Sequence, residues 1–174
     1  DLVRDGQHFA AGAEVIPSAK GDPLLRESGV LPHGSTVVLS NSAARKLDVK
    51  AGDTFRLFVS RKRDGQNQRT SLSVSVSAIL DEARFARPAL FVDLPLLVAL
   101  EDYRDGFQAP LLGVTDGENA RERHNFARAR LYAATLDDVA PLAQWLESQH
   151  IEAITQAAQI EAVRAIDRVL GVIF

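Results

Sequence analysis

The sequence contains neither cysteine nor methionine, and it has a single tryptophan. Without cysteine, the chain can form no disulfide, hold no zinc through thiolates and perform no thiol catalysis. The chain starts Asp1-Leu2-Val3 and contains no initiator methionine, so we expect a fragment or a processed form of a longer protein. It also lacks an uninterrupted apolar run of membrane-spanning length, so we expect the segment itself to be soluble.

The composition is otherwise typical of a folded domain. The chain has 174 residues, of which 46% are hydrophobic and 25% are charged, and this is enough for one domain or two small lobes with an apolar core. The formal net charge is -3 and no basic patch dominates, so we expect no nucleic-acid partner. After Arg168 the chain is apolar, which we interpret as a helix leading into something hydrophobic, as in a membrane-anchored parent protein.

A strand, a short helix and a β-hairpin are predicted between residues 36 and 80. Residues 36–40 are predicted to form a buried strand, followed by a helix over 43–47 that Asn41 or Ser42 can cap. A clear alternation, with Phe58 as the exception on the polar face, then predicts two antiparallel strands joined by a charged loop over 61–69. The buried face of this pair is expected to contain Phe55, Leu57, Val59, Leu72, Val74, Val76, Ala78 and Leu80.

The secondary-structure signals before and after this hairpin in the sequence are weaker. Before residue 36, glycine and proline are frequent, and a short strand is predicted within residues 9–16. After it, strands are predicted over 85–92 and 111–114, where Pro88 suggests an edge or a bulge. Between these strands, a helix over 94–103 is predicted to begin with Pro95 in its first turn and to stop at Asp105-Gly106.

The C-terminal part is predicted to be a strand–helix–strand unit followed by a terminal helix. Strands are expected over 127–134 and 151–155, and the helix between them has apolar residues at helical spacing from Leu136 to Leu146. Such a crossover normally makes its two strands parallel neighbours. A final helix is predicted from Ala157 to Phe174. The predicted fold class is therefore α+β, with a strand–helix–strand lobe and a β-rich lobe that contains an antiparallel hairpin.

No motif in the sequence predicts an active site, a cofactor site or a metal site. The sequence has no Gly-x-Ser-x-Gly elbow, no P-loop and no Gly-x-Gly-x-x-Gly. Adjacent carboxylates such as Asp137 and Asp138 point apart, so a shared-proton pair is not expected. The histidines form no local ligand cluster; they are His8, His33, His124 and His150. We therefore predict no catalytic residue, no cofactor and no metal ligand.

The charged clusters and the tryptophan are interpreted as structural. Arg61-Lys62-Arg63 could contact phosphate or acidic lipid, but a solvated hairpin tip is the favoured interpretation. Trp145 lies beside the apolar stripe of its helix and is assigned to packing in a core or between lobes. A salt-bridged surface is predicted for Arg121, Arg123, Arg128 and Arg130 with Glu118 and Glu122.

Two stretches of the sequence together resemble a known family. The first is Val-Val-Leu-Ser-Asn-Ser-Ala-Ala-Arg-Lys-Leu-Asp-Val-Lys-Ala-Gly-Asp over residues 37–53, followed by the charged hairpin and by Phe91-Val92-Asp93. The second runs from Thr135 to Phe174 and includes Ile-Glu-Ala-Val-Arg-Ala-Ile-Asp before the apolar end. This order resembles the extracytoplasmic domain of permeases in the MacB/FtsX/Lol group of ABC transporters, and the helix predicted after the middle strands fits the same order.

The resemblance implies a non-catalytic periplasmic domain of a bacterial inner-membrane permease. It implies a membrane-proximal α+β lobe formed by residues 1–23 and 119–174, and an inserted β-rich lobe formed by residues 24–118. The implied partners are a cytoplasmic ABC ATPase subunit acting through the parent permease, a second permease copy in a homodimer or pair, and a periplasmic adaptor or outer-membrane lipoprotein. The domain would transmit movement across the membrane in export or lipoprotein handling.

Two alternatives remain open. The pattern over residues 36–80 also suits a soluble ligand-binding β-barrel domain of a cofactor enzyme, which would contain a concave apolar pocket. The apolar end of the chain also suits an extracytoplasmic sensor or adhesion domain of another membrane protein, which would have no ATPase partner.

Overall fold

The computed structural model describes residues 2–3, 12–26, 28–120, 122–126, 128–155, 158, 160 and 162. The chain forms two compact units, Asp1–His124 and Asn125–Phe174. His8 and Arg121 lie outside the described residues, as does most of the predicted helix from Ala157 to Phe174, of which residues 158, 160 and 162 are helical. None of the helices in the described residues combines the length and the hydrophobicity needed to cross a bilayer.

The first unit is built on a six-stranded mixed sheet with α-helices against it. Across the sheet the strands follow the order β1-β4-β5-β3-β6-β2; the pairs β3–β5 and β2–β6 are parallel and the others antiparallel. This architecture confirms the predicted α+β class. The elements are β1 Leu2–Val3, β2 Glu14–Pro17, β3 Thr36–Ser40, α1 Asn41–Leu47, β4 Thr54–Arg63, β5 Gln66–Leu80, β6 Ala89–Val92 and α2 Leu94–Asp105.

Strands β3 and β6 are buried on both faces, so the sheet separates two apolar cores. The first core contains Val37 and Leu39 of β3 together with residues of β4, β5, α1 and α2. The second core contains Val38 of β3 and Phe91 of β6, and Leu25 closes it from the preceding loop. Leu25 therefore anchors the glycine- and proline-rich stretch to this core.

A buried serine starts helix α1. The hydroxyl of Ser40 accepts a hydrogen bond from the backbone N–H of Ala43 at 3.2 Å, and a second one from the N–H of Ala89 at 2.9 Å. Ser40 is therefore the N-cap, and the predicted caps Asn41 and Ser42 lie inside the first turn instead. The same hydroxyl joins the start of the helix to the start of β6.

The strands of the hairpin continue through residues predicted to form a loop. Pairing of β4 with β5 runs from Thr54 opposite Ser75 to Arg63 opposite Gln66, so only Asp64 and Gly65 remain as the turn. Both turn residues have positive φ, 50° and 77°, as a two-residue type I′ turn requires. The predicted loop over 61–69 is therefore wrong, because Asp-Gly closes the hairpin in two residues and the charged residues around it are paired.

A bulge at Ser77 transfers the end of β5 from the first core to the second. Consecutive residues of β3 pair with Val76 and Ala78, so Ser77 has no opposite residue, and its hydroxyl bonds the backbone oxygen of Val37 at 2.9 Å. An extra residue reverses the alternation of a strand. Val76 therefore faces the first core, whereas Ala78 and Leu80 face the second, and the prediction of one continuous buried face is wrong.

The elements after β5 match the predictions in part. Strand β6 begins only at Ala89, directly after Pro88, and it pairs on both sides, so the expected edge position is wrong. Helix α2 is confirmed: Asp93 caps it, and Gly106 ends it with φ 95°. The strand predicted over 111–114 is wrong, because Pro110–Leu112 forms a 3-10 turn.

Strand β2 belongs to the sheet of the first unit. It pairs with β6 along its whole length, from Glu14 opposite Ala89 to Pro17 opposite Val92. The division made from the sequence grouped residues 1–23 with 119–174, whereas the compact units divide after His124 and β2 lies with the inserted segment. Backbone pairing with β6 accounts for this difference. The strand predicted within 9–16 is shifted to Glu14–Pro17, and residues 9–11 lie outside the described ones.

The second unit contains the predicted helix but no strand within its described residues. A 3-10 turn, Leu136–Asp138, leads into α3, Val139–Ser148, after a capping box between Thr135 and Asp138. The strands predicted over 127–134 and 151–155 are wrong for the described residues, which are irregular there. A strand requires a partner, and the side chains of the described residues 151–155 are exposed, that of Ile154 fully.

Substitution of Ser40 with alanine should destabilise the first unit by about 2 kcal/mol, because two buried backbone N–H groups would lose their acceptor. Urea unfolding followed by circular dichroism would measure the loss. Ser60→Ala, on the exposed face of β4, is the matched control and should change the free energy of unfolding by less than about 0.5 kcal/mol. Equal effects of the two substitutions would contradict the double acceptor role.

Candidate functional site

The first feature of interest is a buried arginine on strand β4. The side chain of Arg61 is 1% exposed, although it carries a full charge. It lies in phase with the inward-facing residues of β4, because alternate residues of a strand point to the same side. Those inward-facing residues are Phe55, Leu57 and Val59.

Four groups surround the guanidinium of Arg61. Its Nε donates to Oε1 of Gln68 at 2.6 Å, its Nη2 to Oδ2 of Asp116 at 2.7 Å, and its Nη1 to the backbone oxygen of Phe107 at 3.5 Å. The ring of Tyr103 lies 4.4 Å from Cζ, which adds a cation–π contact. These contacts compensate the cost of burying the charge. We call this cluster of Arg61, Gln68, Tyr103, Phe107 and Asp116 the Arg61 clamp.

The loop after α2 presents Asp116 to the hairpin. Arg63 also donates to Asp116, at 3.3 Å, so two cations of β4 share one carboxylate. The neighbouring Gly117 has φ 140°, and a Cβ added there would stand 2.7 Å from the backbone oxygen of Gly106. Only glycine allows this approach, so the loop folds back on the end of α2 and holds Asp116 in place. The Arg61 clamp therefore ties the hairpin to the loop that follows α2.

A second arginine holds the end of the first unit. Nη1 of Arg123 bonds Glu101, and its Nη2 bonds Oδ1 of Asp102 at 2.9 Å and lies 3.4 Å from Oδ2 of Asp105. Burial lowers the pKa of Arg123, but the hydrogen bond with Asp102 and the charges of all three carboxylates together raise its pKa above the ordinary value. We call these four residues the Arg123 clamp.

The Arg123 clamp differs from the predicted salt-bridged surface. The prediction paired Arg123 with Glu118 and Glu122, whereas its partners all lie on the C-terminal half of α2. The side chain of Arg130 instead lies near the ring of Tyr132, with Cζ 5.5 Å from the centroid. The prediction pairs residues that are close in the sequence, but the chain returns to α2, about twenty residues earlier, before it leaves the unit.

The predicted interpretation of the hairpin tip is wrong for one of its three basic residues. Arg61 is buried, whereas Lys62 is exposed and Arg63 is half-buried. The burial of Arg61 could have been predicted from its position in the alternation of β4, since it continues the inward-facing residues. Trp145 is 56% exposed and so lies outside the core of the second unit, and its assignment to packing between lobes stays a prediction.

The described histidines are not brought together. His33 is exposed and 3.5 Å from Asp93, and His124 is exposed and 3.7 Å from Glu122. His150 is exposed and has a positive φ of 57°, just after the end of α3. Within the described ranges, no three histidine or carboxylate residues are arranged to hold a metal ion.

The two clamps act on the same helix. The Arg123 clamp uses carboxylates of α2, and the Arg61 clamp uses Tyr103 of α2 and the loop beyond it. Charged hydrogen bonds are stronger than neutral ones and hold their partners in a defined geometry. Together they connect the hairpin, α2 and the end of the unit to one another.

Comparison with known proteins adds no relative. No protein-family model matches the chain, and no curated protein sequence matches it. The resemblance to the MacB/FtsX/Lol permeases therefore rests on the residues themselves and on the order of the elements.

Replacing Asp116 with asparagine should destabilise the first unit by about 2 kcal/mol, because the buried charge of Arg61 would lose its counter-charge. Adding Arg61→Met should recover most of that loss, since an apolar side chain of similar length removes the charge and fills its place. Denaturant unfolding of the single and double variants, analysed as a double-mutant cycle, measures the coupling.

Asp64→Asn is the control for this cycle, because it removes a carboxylate that is 92% exposed at the hairpin turn. Its effect on the free energy of unfolding should be small, within about 0.5 kcal/mol. A loss as small as this for Asp116→Asn would show that Arg61 does not depend on its carboxylate.

Proposed function

We propose that the chain is a non-catalytic periplasmic domain of an ABC transporter permease of the MacB/FtsX/Lol type. In this role it couples ATP hydrolysis in the cytoplasm to movement outside the inner membrane, in export, lipoprotein handling or mechanical signalling. The observation that carries the proposal is the order of elements over residues 36–105, which runs strand, helix, tight turn, paired strands, strand, helix. This stretch is the first of the two on which the resemblance rests; in the second, the described residues form a helix but not the expected strands.

The local geometry of the resembling stretch supports this proposal. Helix α1 follows β3 without a loop, and Asp48 then takes a left-handed conformation with φ 53° that ends it. Gly52, with φ 93°, completes the turn that brings the chain into β4. After the hairpin, Asp93 ends β6 and caps α2. The junctions from β3 to α1, from α1 to β4, from β4 to β5 and from β6 to α2 are short, whereas residues 81–88 connect β5 to β6.

The Arg123 clamp suits a domain that transmits movement. It fastens the chain to α2 one residue before the first unit ends at His124. Force that arrives along the chain from residue 125 onward would then be delivered to α2 and, through Tyr103, to the Arg61 clamp and the hairpin. A flexible attachment would absorb the same movement.

The partners in this proposal are those that the resemblance implies. They are a cytoplasmic ABC ATPase subunit that acts through the parent permease, a second permease copy, and a periplasmic adaptor or outer-membrane lipoprotein. We favour this role over a ligand-binding β-barrel because the sheet is open, with β1 at one edge and β2 at the other. The sensor or adhesion domain differs from it in lacking an ATPase partner.

Labelling of a cysteine at the hairpin should place the domain outside the inner membrane. Gln66 is exposed beside the turn, and the chain has no cysteine of its own, so Gln66→Cys in the parent protein introduces a single reactive thiol into this segment. A membrane-impermeant maleimide should label it in intact cells whose outer membrane has been permeabilised. Val74→Cys, which is fully buried, is the control and should react only after denaturation. Labelling of Gln66→Cys only after lysis would overturn the proposal.

Loss of the Arg123 clamp should loosen the end of the first unit. Arg123→Gln removes the charge that three carboxylates share, so we expect about 1 to 2 kcal/mol less stability and faster hydrogen exchange at the C-terminal turn of α2. Arg104→Gln, exposed in the same turn, is the matched control and should leave exchange unchanged. Identical exchange in the two variants would remove the basis for transmission through α2.

A further inference from the structure

The outward face of the β4–β5 hairpin carries positive charges and no carboxylate. Its side chains alternate with those that enter the first core and therefore point away from it. None of them is buried. The ten residues of this outward face are Thr54, Arg56, Phe58, Ser60, Lys62, Asn67, Arg69, Ser71, Ser73 and Ser75.

The charge of the outward face is opposite to that of the chain. Arg56, Lys62 and Arg69 give it three positive charges, while the whole sequence has a net charge of -3. Once these three charges are subtracted, the remaining residues carry -6. A concentration of one sign on an otherwise acidic molecule attracts and orients partners of the opposite sign.

The central part of the outward face is pre-organised. The guanidinium of Arg69 lies over the ring of Phe58, with Cζ 3.8 Å from the centroid. A stacked guanidinium keeps its N–H groups available at the ring edge in a fixed plane, which suits paired contacts with a carboxylate. Around this stack the residues are mainly serine, whose hydroxyl groups can donate further hydrogen bonds.

The shape and composition of the face favour a protein partner over a lipid surface. From Arg56 to Lys62 the cations extend over about 20 Å at the rise of a β-strand, so a typical interface patch, about 30 Å across, would include all of them. Membrane-binding surfaces combine cations with protruding apolar side chains, or concentrate about four to eight lysines and arginines, whereas this face has three cations. Here the large apolar residue of the face, Phe58, is half-buried beneath Arg69.

We propose that the outward face of the β4–β5 hairpin docks an acidic surface of another protein, whose carboxylates pair with Arg56, Lys62 and Arg69. The positive charge of this face on an otherwise acidic chain and the stacked Arg69 carry this inference. It goes beyond the proposed function and holds wherever the parent protein is located, so its test does not depend on the cysteine-labelling result.

The test uses a fluorescent poly-glutamate peptide as the probe and the whole chain in two triple variants. The chain should bind the peptide at low salt and lose it as salt is raised, because exposed charges are screened. The variant Arg56→Gln/Lys62→Gln/Arg69→Gln should bind about tenfold more weakly by fluorescence anisotropy. In NMR titrations of the unaltered chain, the shifted amides should cluster on the outward face.

The matched control is the triple variant Lys20→Gln/Arg26→Gln/Arg104→Gln. It also removes two arginines and one lysine, all from exposed positions elsewhere. Its peptide affinity should equal that of the unaltered chain, and both variants should unfold at the same temperature. Equal weakening in the two variants would overturn the proposal, because net charge alone would then explain binding. Binding to phosphatidylglycerol–phosphatidylcholine vesicles with no binding to the peptide would overturn it in favour of a lipid surface.

Discussion

The double burial of strand β3 is the constraint on which the first unit depends. The strand is paired on both edges, with β5 and β6, and residues 37–40 have almost no exposed surface. Each of its side chains must therefore fit one of two cores, and its last residue, Ser40, must satisfy two backbone groups. Burial on both sides explains why this strand is a continuous apolar run, and why helix α1 starts immediately after it.

Outside the cores, charged residues determine how the peripheral elements are attached. The hairpin extends beyond the apolar part of the first core, and there Arg61 replaces the apolar side chains that face inward on β4. Arg123 attaches the chain that leaves the unit, through its contacts with three carboxylates of α2. Because the geometry of a guanidinium is planar and its partners are specific, such attachments define orientation more strictly than apolar contacts do. The proposed role in transmitting movement would need this property.

The elements that could be predicted are those whose signals are local. Helix α2 is defined by Asp93 before it, Pro95 in its first turn and Gly106 after it, and all three act within a few residues. The alternation of apolar and polar residues, together with Asp64-Gly65, indicates the hairpin in the same local way. The bulge at Ser77 could not be predicted, because it follows from the pairing of β5 with a strand that lies about forty residues earlier.

The candidate site shows the same limit. The charged neighbours of Arg61 predict a solvated hairpin tip, whereas its position in the alternation of β4 places its side chain on the buried face. The partners of Arg123 lie on α2 rather than in the adjacent segment, which no local pattern reveals. For the segments around 127–134 and 151–155, the apolar content suggested strands, but a strand needs a neighbour, and propensity alone does not supply one.

The bulge in β5 also affects the folding of the first unit. The same strand supplies Val76 to the first core and Leu80 to the second, and β3 and β6 are likewise shared. Neither core can lose its packing without withdrawing strands from the other. The residues on the two sides of the sheet therefore belong to one cooperative unit, which should melt in a single transition rather than layer by layer.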